Sequence, residues 1–160
     1  MPSWMPRPTS PPSARMPEAG SALGQPLRRI PSELTDEIVA HARAEKPNEC
    51  CGMVASLDGV AVKVFPAANA AASPLRYEID PAEQYRIEME IEDSGWDLGA
   101  IYHSHTRSDP EPSETDRNLA FHPDSVYVIV GLKDDPKVDL RGWWIRDRGG
   151  IPELADLDFE

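Results

Sequence analysis

The chain has 160 residues, 40% of them hydrophobic and 28% charged, with a formal net charge of −12. That length suits a single domain with its own core, and the acidic balance argues against nucleic-acid binding, because phosphate contacts need clustered Lys and Arg. No apolar run approaches the roughly 20 residues that cross a bilayer, and no apolar stretch near the N-terminus suits a secretory signal. The two cysteines, Cys50 and Cys51, are adjacent. Sequence neighbours rarely reach disulfide geometry, so reduced thiols in a cytoplasmic protein are expected.

Residues 1–29, "MPSWMPRPTSPPSARMPEAGSALGQPLRR", are rich in Pro, Ser, Gly and Ala. They show neither helical nor strand periodicity and offer few apolar groups to offset the entropy of ordering. A disordered tail is expected there, with Met5 and Met16 as alternative starts, and a folded domain over 30–160. In "IPSELTDEIVAHARAEKP" the residues Leu34, Ile38, Val39 and Ala42 fall at helical spacing. Ser32 is the expected N-cap, Ile30 a staple onto the first turn, and Pro47 the stop. "CCGMVASLDGVAVKVFPAAN" reads as two strands joined by Asp58-Gly59, a hairpin signal. "LRYEID" is expected as a short strand. Pro81 opens a helix, "PAEQYRIEMEIEDSG", with Tyr85, Met89 and Ile91 turned inward. "DLGAIYHSH" is a strand burying Ala100, Ile101 and Tyr102, and "SETDRNLAFHP" a short helix ending before Pro123. "SVYVIVGL" is a buried strand, paired with "VDLRGWWIRD" after the turn "KDDPK". Helices and strands interleave, which predicts an α/β or α+β class around one mixed sheet.

The stretch "YHSHTRSDPEPSETD" carries the chemistry. Alternate residues of a strand share a face, so His103 and His105 point to one side, with Cβ atoms about 6–7 Å apart. Two imidazoles so placed can converge on one ion at about 2.0–2.1 Å. Asp116 is a candidate third ligand, since its helix follows a loop that doubles back. Each residue has a plainer reading. His-x-His occurs as ordinary surface or core histidine. Ser113 and Asp116 fit S-x-x-[DE], a helix-capping pattern. His41 and His122 stand alone and are expected to be structural. Cys50 and Cys51 could be soft ligands or simply buried strand residues. Asp109 and Glu111 are read as solvated loop charges, and Trp143 and Trp144 as facing opposite sides of a strand. Two histidines and one carboxylate also suit a non-haem iron oxygenase, a reading that leaves Glu49 and Ser113 idle.

Together the residues run His-x-His, seven residues, Ser113, two residues, Asp116, with Glu49 upstream in "PNECCGMVA" just before a strand. This resembles the JAMM motif of MPN-domain metalloproteases, a family that includes proteasome-lid and signalosome deubiquitinases and many small bacterial members. The likeness covers about Leu34 to Asp147, with Cys51-Gly52 matching the family's Cys-Gly. The segments "AHARAEKPNECCG" and "IYHSHT" resemble those of the bacterial branch that removes cysteine from the C-terminal glycine of a ubiquitin-like sulfur-carrier protein. The resemblance implies an MPN (cytidine-deaminase-like) fold, a curved mixed sheet flanked by helices. It implies Zn2+ held by His103, His105 and Asp116 with a water in the fourth place, Glu49 as general base and acid, and Ser113 stabilising the oxyanion. The implied partner is a Gly-Gly-terminated ubiquitin-like protein whose tail lies along a sheet edge. A homodimer and a non-catalytic scaffold are compatible alternatives on state and role, and Cys50 is a second thiol that could lie near the metal.

Overall fold

A computed structural model describes residues 24–160. In chain order the elements are β1 (Arg29–Ile30), α1 (Ser32–Glu45), β2 (Cys51–Leu57), β3 (Val60–Ala67), α2 (Pro81–Asp93), β4 (Asp97–His105), α3 (Glu114–Asn118), β5 (Val126–Gly131), β6 (Asp139–Trp144), β7 (Glu153–Leu154) and β8 (Asp158–Phe159). They form one sheet in the order β7-β6-β5-β4-β2-β3-β1-β8. β4 and β5 are parallel, β1 is parallel to both neighbours, and the other pairs are antiparallel. The expected mixed sheet with flanking helices is present.

Chain length dictates the curvature. β7 and β8 sit at opposite ends of the sheet order, yet Leu154 and Asp158 are joined by a short link. Four residue steps reach at most about 14 Å, whereas eight flat strands at about 4.8 Å spacing would stand about 34 Å edge to edge. The sheet therefore curls until its ends meet. α1 fills the inside of the curl: Ile38 and Ala42 pack with Tyr102, Val126, Val128 and Val130. α2 covers the outer face, where Ile87 and Ile91 meet Met53, Ile101 and Tyr127. Because β4 side chains alternate, Tyr102 faces α1 while Ile101, His103 and His105 face outward.

The segment from Glu153 to Glu160 straps the curl shut. Ala155 N–H donates to Gly142 O (2.7 Å), Asp158 N–H to Arg28 O (2.9 Å) and Glu160 N–H to Ile30 O (3.0 Å). Leu157 lies so close to Gly142 that a Cβ there would stand 2.9 Å from its Cδ2. Leu157 and Phe159 are half-buried against the inner core, worth on the order of 1 kcal/mol each. With the strand hydrogen bonds added, deleting residues 153–160 is expected to lower the unfolding free energy by about 3 kcal/mol. An unchanged urea midpoint for the truncated chain would show that the strap carries no stability.

Several expectations need correction. Residues 1–23 of the expected tail lie outside the described residues, but the tail does not extend to residue 29. Leu27 is 3% exposed, and the Arg28 and Arg29 N–H groups donate to Gly59 O, so residues that composition assigned to the tail pack against the domain. Ser32 is the first helical residue rather than the cap. Pro31 holds the cap position without a side-chain bond, and the Thr35 hydroxyl donates to Ile30 O instead (3.2 Å). "LRYEID" forms no strand; a single bridge joins Asn69 and Ile79. Its backbone partners are taken by the Asn69 side chain, whose amide donates to Arg76 O and whose Oδ1 accepts from Glu78 N–H. Tyr85 is 65% exposed and Ile87 takes the inward place. The 3.6 period fits Ile87-Ile91 as well as it fits Tyr85-Met89, and burying the aliphatic pair leaves the phenol hydrated. The Asp58-Gly59 turn is as expected, both residues having positive φ (53° and 83°), as a type I′ hairpin requires.

Candidate metal centre

Three elements converge on the outer face of β4. His103 and His105 are 1% and 4% exposed, and Asp116, in the first turn of α3, is 7% exposed. The two Nε2 atoms stand 3.1 Å apart, and Asp116 Oδ2 lies 3.1 Å from that of His103 and 3.0 Å from that of His105. Hydrogen bonds alone do not account for this triangle. Each Nε2 carries at most one proton, so at most two of the three edges can be donor–acceptor pairs. Ligands at about 2.0–2.1 Å around a tetrahedral ion stand about 3.3 Å from one another, close to the observed edges. A carboxylate oxygen of Glu49 joins the set, within 4.8 Å of both imidazoles. Glu49 is 3% exposed, and its Oε1 has no hydrogen-bond partner among the described residues. An orphaned buried carboxylate beside two imidazoles and a second carboxylate fits a site for a metal ion.

The surroundings orient these side chains. His105 Nδ1–H donates to Asp109 O (2.8 Å), which leaves its Nε2 as the free donor atom. The loop that supplies this carbonyl is pinned by Trp143 Nε1–H, which donates to Pro110 O (2.9 Å). Pro110 also packs over Gly131, where a Cβ would lie 2.9 Å from its Cδ. Ser113 and Asp116 form a capping box: Asp116 N–H donates to Ser113 Oγ (3.0 Å), and Ser113 N–H to Asp116 Oδ2 (2.9 Å). The cap turns Asp116 Oδ2 toward the histidines, so the capping and metal readings of this pair are compatible.

Electrostatics follow from burial. Burial, with the Asp116 charge, pushes the Glu49 carboxyl up to about 8 against the lowering pull of His105. Burial also lowers His103. It would lower His105, but the hydrogen bonds to Asp116 and to the Asp109 carbonyl raise it overall. Asp116 is held well below the carboxylate range because the two histidines outweigh its burial. Burial thus holds Glu49 and His103 toward their neutral forms, and Asp116 keeps its negative charge.

Other candidates fall elsewhere. Asp109 and Glu111 side chains are solvent-facing partners of Lys133 (3.6 Å) and Arg141 (3.2 Å). Cys50 packs with the α1-side core, on the opposite face from the histidines, so it is not the nearby thiol that the sequence suggested. Cys51 shares the site's face, opposite His103 in the β2–β4 register, and its thiol points to Ala68 O (3.4 Å). Burial pushes both thiols up to about 12. His41 bonds the Tyr102 hydroxyl (2.8 Å), and His122 bonds Glu88 (3.2 Å); both serve packing. Sequence reasoning missed Tyr77, whose ring stacks on His103 with centroids 4.4 Å apart. It also missed the Asp109 carbonyl and Trp143, which have no signature because their roles arise from tertiary contact.

The chain is similar to known proteins over most of its length. A family profile described as prokaryotic homologs of the JAB domain matches residues 31–146. The CysO-cysteine peptidase of Mycobacterium tuberculosis is 38% identical over 126 residues, covering 78% of this chain and 86% of that protein. The desampylase of Haloferax volcanii is 40% identical over 121 residues, covering 71% and 86%. A JAB1/MPN domain protein from Archaeoglobus fulgidus superposes with a TM-score of 0.56 at 17% identity, covering 86% of this chain and all (100%) of that one, which supports the fold. No helix among the described residues is long and apolar enough to cross a membrane. Family profile, fold and relatives converge, and neither the oxygenase nor the scaffold reading is needed: the chain belongs to the prokaryotic JAB branch of the JAMM/MPN metalloproteases and is a hydrolase.

Proposed function

We propose that this chain is a zinc-dependent peptidase. It hydrolyses the amide bond after the C-terminal Gly-Gly of a small ubiquitin-like sulfur-carrier protein and releases cysteine. The observation that carries the reading is Glu49: a buried carboxylate with a free oxygen, facing a two-histidine, one-aspartate triangle. Likeness to a CysO-cysteine peptidase supports the choice of substrate class.

His103 and His105, through Nε2, and Asp116, through Oδ2, would hold the ion. Zinc held there would supply Lewis acidity, making water acidic near neutral pH (about 7) and the scissile carbonyl more electrophilic. Glu49 takes the proton from the attacking water as the C–O bond forms. It then hands that proton to the leaving amine as the C–N bond breaks. Ser113 Oγ accepts from Asp116 N–H, so its own proton remains free to donate to the developing oxyanion. Ser113 is no nucleophile: among the described residues no histidine or lysine hydrogen-bonds its hydroxyl, which accepts from Asp116 N–H. A groove of about 640 Å3, lined among others by Met53, Ile101, Tyr127 and Phe121, shares with the site Tyr77, whose ring stacks on His103. A flexible Gly-Gly tail fits such a groove without side-chain clash.

The test is incubation with a Gly-Gly-terminated sulfur carrier bearing a C-terminal cysteine, followed by mass spectrometry. The expected product is shorter by one cysteine residue, and a chelator abolishes it. Likeness to a desampylase makes a lysine-linked Gly-Gly conjugate the necessary second arm. Cleavage of that conjugate alone would replace cysteine release with isopeptide hydrolysis. No cleavage of either would overturn the proposal.

A further inference from the structure

The two histidines of the triangle are held differently. His105 is oriented by a hydrogen bond from Nδ1 to the Asp109 carbonyl. His103 is equally buried, but its Nδ1 has no partner among the described residues. Metal-binding imidazoles almost always donate their second N–H to a carboxylate, carbonyl or water, which fixes the ring. Here another contact does so. The Tyr77 ring lies over the His103 ring, with centroids 4.4 Å apart and planes inclined by 23°. Tyr77 belongs to the irregular segment between β3 and α2, tied down by Asn69, which bonds the backbone on either side of it at Arg76 O and Glu78 N. Its other surroundings are the outer core and the groove wall.

We propose that Tyr77 is a positioning residue. Its aromatic face, not its hydroxyl, holds the His103 imidazole in the metal-binding orientation, replacing the missing hydrogen bond at Nδ1. This rests on His103 being a ligand. An imidazole that shares its lone pair with a cation becomes electron-poor, and the negative face of a phenol ring attracts it. The stack therefore strengthens on metal binding.

The readout is the dissociation constant for zinc ion alone, measured on the full chain by chelator competition, with circular dichroism reporting the fold. Tyr77→Leu is expected to weaken zinc binding about 10-fold or more, the usual cost of losing an orienting contact. Tyr77→Phe should bind as tightly as wild type. Where Leu prevents folding, Tyr77→Met fills the space without a ring and should show the same loss. Wild-type affinity in the folded Leu or Met variant would overturn the proposal, and so would a Phe variant as weak as Leu. His103→Ala is the control. If it binds zinc normally, the ligand assignment fails and this proposal fails with it. If it does not, an indifferent Tyr77 fails alone.

Discussion

Glu49→Gln is expected to lower kcat/KM about 10²- to 10⁴-fold, the usual contribution of a placed general acid/base, while metal content stays at the wild-type level. The substitution is nearly isosteric and removes only the ability to carry a proton. Glu49 sits in the loop ahead of β2, held by its own backbone: its N–H donates to Ser73 O (2.9 Å) and its carbonyl accepts from the Asn69 amide (3.0 Å). Gln keeps both bonds, so the fold should survive. Metal analysis beside steady-state kinetics separates the readings. Wild-type turnover would remove Glu49 from the chemistry, and a loss of metal would make it a ligand instead.

The same carboxyl shapes the pH dependence of the metal-free protein. Burial raises Glu49 from its ordinary 4.5 to about 8, so above 4.5 the native state holds a proton that the unfolded state has released. His105 is also raised above 6.5. Both groups therefore make stability fall as pH rises from about 6.5 toward 8. His103, lowered by burial, acts in the opposite direction only below 6.5. Metal-free Glu49→Gln should show a shallower decline across that window in urea titrations and greater stability at pH 8, by on the order of a few kcal/mol. Equal slopes would mean that the Glu49 carboxyl is not desolvated.

Legibility in the sequence tracked how local each determinant is. Period-two alternation gave β4 and put both histidines on one face, and Asp58-Gly59 gave the hairpin. Asp116 was legible only through its spacing from His105, since nothing local distinguishes a capping aspartate from a ligand. The site's support was not legible. Tyr77 lies in "LRYEID", whose alternation mimics a strand, but Asn69 takes the backbone groups that a strand would use. The Asp109 carbonyl and Trp143 act through backbone and tertiary contact, which carry no residue signature. Closure of the sheet was hidden as well. Its strap is built from short strands of two residues each, below the length at which periodicity speaks.

Asp116→Asn should abolish activity and weaken zinc binding by more than about 100-fold, beyond the cost of losing an outer contact. This substitution separates the two readings of the Ser113–Asp116 pair. As a capping residue, Asp116 needs only a side-chain oxygen to accept from Ser113 N–H, and a carboxamide supplies one. As a ligand it needs a negative charge on the atom that both imidazoles approach at 3.0–3.1 Å. A carboxamide oxygen is a much poorer donor to a divalent cation, and its amide group could turn toward the histidines. The capping reading predicts a near-normal enzyme, and the ligand reading predicts a folded, metal-free one. Zinc titration with a chromophoric chelator, run beside thermal unfolding of the metal-free protein, decides between them. Retained zinc affinity would leave Asp116 a helix cap and the two histidines without their third donor.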